Sequence, residues 1–402
     1  MSILIAILGL ALLILVHEAG HFFGSLAVGL RPRRFYVGFP PAVLKTTRNG
    51  IEYGIGAVPL GGFVTIPGML RPIPHDVDRR FAYAAEEAPG LVGPIDRVKR
   101  SLGGDDSTNG LEELRELELA IREKKLSARA LASAEKGLTE LHDALGPDAY
   151  WKAATWRRLV AILAGPFSNI ALTAVLLGIL FTTVGGKPSQ VIATVSPDSP
   201  AREAGLLAGD KVIAVDGDSV SGEQLGDKIL GSEGRPLVLT VVRDGEEIRV
   251  GPVTPAETDG GYRIGIVREG VGLPPVEASW RAVEVTGIVT REIVFSLGRL
   301  VTGEGREDVA SPIGITRASS DAVQEGAVSF LWVLALISLS VGLLNLLPFL
   351  PLDGGHVLFA LLEGVRGRVL KREVYERASV VGIAVVVLLF FIGLTNDIGN
   401  LS

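Results

Sequence analysis

Four stretches of the chain are apolar for long enough to cross a bilayer: Ile3 to Val28, Leu159 to Val184, Phe330 to Leu347 and Val380 to Leu394. A spanning helix needs roughly 20 mainly apolar residues, so the first three read as full spans and the last as a short one. The first span is the only one with ionisable residues inside it, His17, Glu18 and His21. No Lys or Arg precedes Arg31. A cleaved leader would have a basic start and a shorter apolar run, so the first span is expected to be retained. Four spans put both termini on one side.

Between the first two spans, the segment Val43 to Ile55 predicts two short strands around Asn49-Gly50, a dipeptide that favours a type I′ hairpin turn. Pro59-Leu60-Gly61-Gly62-Phe63 continues this apolar, glycine-rich run. From 71 to 150 the pattern becomes charged and helical. Leu111, Leu114, Leu117 and Ile121, then Leu131, Leu138, Leu141 and Leu145, recur near helical spacing, with Ser127 as an N-cap between them. This predicts a solvated helical hairpin with one apolar seam. Beyond the second span, Val191 to Val195, Lys211 to Val215, and Leu237 to Val242 with Glu247 to Val250 across Asp244-Gly245 read as strands of a small β-rich domain over 187–270. Ala282 to Val301 is amphipathic, with Val285, Ile288, Val289, Ile293 and Leu297 on one side, and is expected to lie along the membrane surface.

Composition narrows the chemistry. Of 402 residues, 48% are hydrophobic and the mean hydropathy is +0.39, which excludes a disordered chain. There are no cysteines, so thiolate catalysis, Fe–S clusters and disulfide staples are excluded, and a metal would have to use His and carboxylates. With 39 basic against 45 acidic residues, the chain has no global field to hold nucleic acid. Basic residues near span ends fall on one face: Arg31, Arg33 and Arg34, then Lys152, Arg157 and Arg158, then Arg366, Arg368, Lys371 and Arg372. Lys187 and Arg317 are nearly all that the other face offers. Positive charge marks the cytoplasmic side, so the termini and the region 185–328 are expected to be extracytoplasmic.

His17-Glu18-Ala19-Gly20-His21 is an H-E-x-x-H pattern on a helix. Its i, i+4 spacing puts both imidazoles on one face, where they can share one tetrahedral zinc, with Glu18 placed as general base. Three ionisable groups deep in a span are costly unless paired or metal-bound, which argues against simple packing. Helix rise puts His21 about 10 Å from the Val28 end, in the cytoplasmic half of the bilayer. A catalytic zinc takes a third protein ligand. Asp353 and His356, in the Pro-broken run Asn345 to His356 after the third span, are the candidates at matching depth. His75 and His142 lie in the polar insert and read as solvated.

The pairing of this motif with N-x-x-P-x-x-P-L-D-G-G from Asn345 to Gly355 resembles the site-2 protease family of intramembrane zinc metalloproteases. Ala164-Gly165-Pro166-Phe167-Ser168-Asn169 is similar to that family's central motif, Pro59 to Phe63 with the hairpin resembles its membrane-reentrant β-loop, and Ser311 to Ile315 fits as well. Ala204 to Gly217 resembles the signature of a PDZ domain, of which this chain has one.

The resemblance implies a polytopic α-helical membrane protein with about four spans, a reentrant β-hairpin and an extracytoplasmic PDZ-like domain. Its parts would be span 1 (1–28), β-loop (29–70), cytoplasmic insert (71–158), span 2 (159–184), PDZ-like domain (187–270), amphipathic surface segment (271–328), span 3 with the LDGG motif (329–356) and span 4 (378–395). It implies Zn2+ held by His17, His21 and Asp353, with Glu18 as catalytic acid/base and Asn169, Asn345, Gly61 and Gly62 near substrate. The substrates implied are membrane-spanning proteins already trimmed by another protease, often anti-sigma factors, cleaved at the bacterial plasma membrane in regulated intramembrane proteolysis. The rival readings are a non-enzymatic PDZ membrane adaptor with a vestigial metal site, and a metal transporter. An intact Glu18 argues against both.

Overall fold

The computed structural model describes residues 1–103, 110–258, 261–306 and 309–399. They gather into two compact units, Met1–Leu172 with Val294–Ser320 and Ile337–Ser402, and Thr173–Ile293 with Asp321–Leu336. In the first unit, α1 (Ser2–Ala27) is a continuous, almost wholly aliphatic helix. Beyond it, Gly29 takes a φ of 75°, a region that favours glycine. Arg157 Nε donates to the Val28 carbonyl at 2.6 Å, which satisfies one of the acceptors left open at the helix end.

The hairpin that follows is far longer than the two short strands expected. Strand β1 (Arg34–Arg48) and strand β2 (Ile51–Thr65) meet at Asn49-Gly50, whose φ angles of 51° and 77° suit the predicted turn. The ribbon also folds on itself. Arg34 to Val37 pair both with Glu52 to Ile55 and with Gly62 to Thr65, while Lys45 to Arg48 pair with Ile51 to Gly54. Gly38, at a φ of 86°, permits the bend, because a Cβ there would press on the Val58 and Gly56 carbonyls.

The insert is not a hairpin of two helices. It comprises α2 (Pro74–Glu87), α3 (Val92–Gly103), α4 (Gly110–Arg122) and α5 (Ala128–Leu145), closed over a core that includes Val77, Phe81, Val98, Leu114, Leu117 and Leu145. Ser127 caps α5 as its sequence suggested, accepting the Ala130 N–H at 3.2 Å. The insert is fastened to the root of the hairpin: Arg33 donates to Asp143 at 2.6 Å and to Asp148 at 2.8 Å, and Tyr150 N–H reaches the Pro67 carbonyl at 2.9 Å. Burial alone would raise the Asp148 carboxyl, but the Arg33 guanidinium holds it below its ordinary value. Helix α6 (Thr155–Thr183) then runs for 29 residues through Pro166.

The second unit holds the strands β3 (Lys187–Val195), β4 (Lys211–Val215), β5 (Asp218–Ser219), β6 (Leu237–Arg243), β7 (Glu246–Val253), β8 (Ala256–Thr258), β9 (Gly261–Arg263) and β10 (Ile266–Val271). Its main sheet has the order β10-β3-β4-β6-β7, with β5 on β4 and with β8 and β9 paired separately. Short helices α7 (Pro200–Glu203) and α8 (Gly222–Leu230) cover a core of Ile192, Leu206, Val212, Leu225, Leu239 and Val241. Asp210, 1% exposed, is satisfied by Arg243 at 2.7 Å. Helix α9 (Pro275–Thr302) begins earlier than the amphipathic pattern indicated. Within this unit its buried line is Ala278, Ala282 and Thr286, small residues that allow close approach, and the bulkier Val276, Trp280 and Val283 are exposed.

The chain closes with α10 (Pro312–Glu325), α11 (Ala327–Asn345), α12 (Asp353–Arg366) and α13 (Arg372–Gly399). Asp397 near the end of α13 accepts the backbone N–H groups of Ser311 and Gly314 at 3.0 and 3.1 Å, capping α10 with a carboxylate where the helix end favours negative charge. Among the described residues, four helices, α1, α6, α11 and α13, are long and apolar enough to cross a membrane. The fourth, expected to be short, has 28 residues once its polar ends are counted.

Candidate metal centre

The tight pairing of α1 and α6 follows from small residues. A Cβ on Gly20 would collide with the Ala164 carbonyl, and one on Gly24 with the Ala164 side chain. Gly165 performs the same service for chemistry, since a Cβ there would strike the His21 ring. Ser168 Oγ donates to the Val16 carbonyl at 2.9 Å and so fixes the register of the two helices right beside His17.

His21 Nδ1 lies 3.0 Å from the Ala161 carbonyl, which can only accept; Nδ1 therefore carries the proton and Nε2 presents its lone pair. That Nε2 is 3.2 Å from His17 Nε2, and both stand close to Asp353 Oδ2, at 3.2 and 3.1 Å. Both histidines are buried. Two imidazole nitrogens and a carboxylate oxygen converging at a largely buried point form a donor set that suits a divalent cation of zinc type. Among the described residues, no other group of three His, Asp or Glu side chains could hold a metal ion.

Asp353 reaches this point from the far end of the sequence because of the glycines behind it. The chain turns out of α11 at Leu346 to Leu352, and α12 begins at Asp353 with Leu352 as N-cap. Any side chain on Gly354 or Gly355 would overlap the backbone of that turn, near Leu346 and Leu350. The first turn of a helix also favours a carboxylate. His356, the alternative ligand, is one turn further along α12 and is not in the converging group.

Glu18 belongs to the same helix face but not to the donor set. Its stem lies beside Gly62, where a Cβ would come within 3.2 Å of Cγ. Gly62 to Thr65 pair only with Arg34 to Val37, so they form an outermost segment of the hairpin sheet, next to Glu18. Gly61, at a φ of 143°, sits under the Phe39 ring.

Asn169 is fully buried on α6, two turns beyond Ala161, against Gly342 of α11; Ser338 donates to its carbonyl at 2.9 Å. Asn345 donates to the Val341 carbonyl of its own helix at 3.0 Å. Neither contributes to the convergent donors. His142 pairs with Glu118 at 3.3 Å, in the insert. Two contributors escaped sequence reasoning: the Ala161 carbonyl, a backbone group with no signature, and Gly165, which lies inside a quoted motif but whose role emerges only with His21 against it.

Comparison with known proteins identifies the family. The family model for peptidase family M50 matches residues 5–389. The zinc metalloprotease RasP of Geobacillus kaustophilus is 30% identical over 99% of this chain and 97% of its own length. The regulator of sigma-W protease RasP of Bacillus subtilis is 27% identical over 97% of this chain and 96% of its own. The protease RseP of Yersinia pestis is 28% identical, covering 98% of both. An enzyme, and not an adaptor, is thereby supported. The chain belongs to peptidase family M50 and is a zinc metalloprotease of the membrane.

Proposed function

We propose that this protein cleaves the transmembrane segments of other membrane proteins, at a zinc held by His17, His21 and Asp353, with Glu18 as general base and acid. The observation that carries the reading is the meeting of His17 Nε2, His21 Nε2 and Asp353 Oδ2, within 3.2 Å of one another, with Glu18 one residue from the first ligand. Zinc bound there polarises a carbonyl and makes a nucleophile from water near neutral pH. Glu18 takes the proton from the attacking water and returns it to the leaving amine.

A helical substrate keeps its peptide bonds occupied, so it must unwind locally before a bond can be attacked. The hairpin supplies a partner for the unwound segment. Gly62 to Thr65 present an outer strand edge beside Glu18, where an extended chain can add by backbone hydrogen bonds. Gly61 and Gly62 let this edge pack tightly on Phe39, Tyr36 and Glu18, and Asn169 and Asn345 help to order the site.

The asymmetry of basic residues supports a multi-pass topology with both termini and the 187–270 domain outside the cytoplasm. That domain carries the PDZ-like signature, and we read it as a steric filter that admits substrates already trimmed by another protease. The Bacillus subtilis relative is named for regulation of sigma-W, so membrane-anchored anti-sigma factors are the substrate class we favour. Deleting 187–268 is expected to leave zinc bound and to let the enzyme cut substrates that still carry a bulky outer domain. If deletion instead abolishes cleavage of trimmed substrate in a folded, metallated protein, the domain recruits substrate and the filter reading fails.

A further inference from the structure

We propose that the buried ion pair between Arg158 and Glu363 is a positioning clamp that sets Asp353 against His21, and thereby the tightness of zinc binding. This rests on the ligand reading above. Arg158 Nη1 lies 2.5 Å from Glu363 Oε2, and the residues are 5% and 4% exposed. The other carboxylate oxygen, Oε1, accepts the Leu370 N–H at 2.7 Å and the Tyr375 hydroxyl at 3.2 Å, so Glu363 ties α6, α12 and the start of α13 together. Beside the pair, a Cβ on Gly364 would press within 2.6 Å of Thr155 Oγ1, so α12 and α6 touch closely there.

The location gives the clamp its leverage. Arg158 precedes Ala161, whose carbonyl orients His21, by three residues, about one helical turn. Glu363 follows Asp353 by ten residues on the same helix, about 15 Å along its axis. Each partner is thus on a rigid rod with one part of the metal site. The pair fixes how α12 is rotated and placed on α6, and Asp353 follows. Buried ion pairs are weak contributors to stability compared with apolar residues of the same volume, so geometry is the better reason for keeping one here.

The test separates position from stability. In Arg158→Met/Glu363→Gln, no charge is left unpaired and the amide oxygen can still accept from Leu370 and Tyr375, so the melting temperature in detergent should stay near wild type. Zinc affinity, read by competition with a chelator at equilibrium, should nonetheless fall about 10–100-fold, the range by which supporting contacts change it. With zinc in excess, kcat should fall while KM stays within about twofold. Arg158→Lys keeps the charge without the planar fork and should show an intermediate loss of zinc, which serves if the double variant does not fold. A stable double variant or Arg158→Lys that holds zinc like wild type overturns the clamp. Asp353→Ala, measured in parallel, tells the two ideas apart: if it loses zinc while the clamp variants keep it, only the clamp fails; if it keeps zinc, the ligand reading fails and the clamp with it.

Discussion

Replacing Glu18 by glutamine is expected to lower kcat by about 10²–10⁴-fold while zinc stays at about one per chain. The substitution keeps the shape of the side chain and removes only its basicity. Glu18 lies outside the three convergent donors and beside Gly62 of the hairpin, so the metal loses no ligand. Proteolysis of a membrane substrate and elemental analysis of the same purified sample read both quantities. Turnover at an appreciable fraction of wild type would remove Glu18 from the chemistry. Loss of zinc together with activity would instead make it a ligand.

Asp353→Ala carries the second large effect. It deletes the only carboxylate oxygen in the donor set and leaves His17 and His21 facing each other at 3.2 Å. Zinc affinity should drop by at least about 100-fold, the upper end of what losing a mere supporting contact costs, and activity should drop with it. His356→Ala should retain the metal, because His356 is outside the convergent group. The opposite pattern would transfer the third ligand position to His356.

The sequence exposed the chemistry better than its setting. His17, Glu18 and His21 were legible because i, i+4 spacing on a helix places side chains without help from the rest of the fold. Asp353 was harder, since residues alone favoured it but kept His356 as an alternative. What decides between them is the bed made by Gly354 and Gly355 against the turn from Leu346 to Leu350, a packing matter without local signature. The hairpin's turn was readable at Asn49-Gly50, but its curl was not, because Arg34 to Val37 pair with two separate segments of β2 and only three-dimensional closure reveals that. In the insert, Val77, Phe81, Ile95 and Val98 line a core together with the leucines of α4 and α5. Prolines at 89 and 94 interrupt that first apolar pattern, so one hairpin was read where four helices stand. Arg158 and Glu363 resembled ordinary charges at span ends until the fold buried them against each other.

The central claim is cleavage inside the membrane-spanning part of a substrate, and mapping the scissile bond tests it most directly. Purified protein in lipid vesicles would be given a single-span substrate lacking its outer domain, and the products sequenced by mass spectrometry, with the Glu18→Gln variant as the blank. The account predicts new termini within the apolar segment, in its cytoplasmic half, at the depth that helix rise gives to His21. Cuts confined to residues outside the apolar segment, dependent on Glu18 and on zinc, would contradict it and leave a metalloprotease that works on the surface of the membrane.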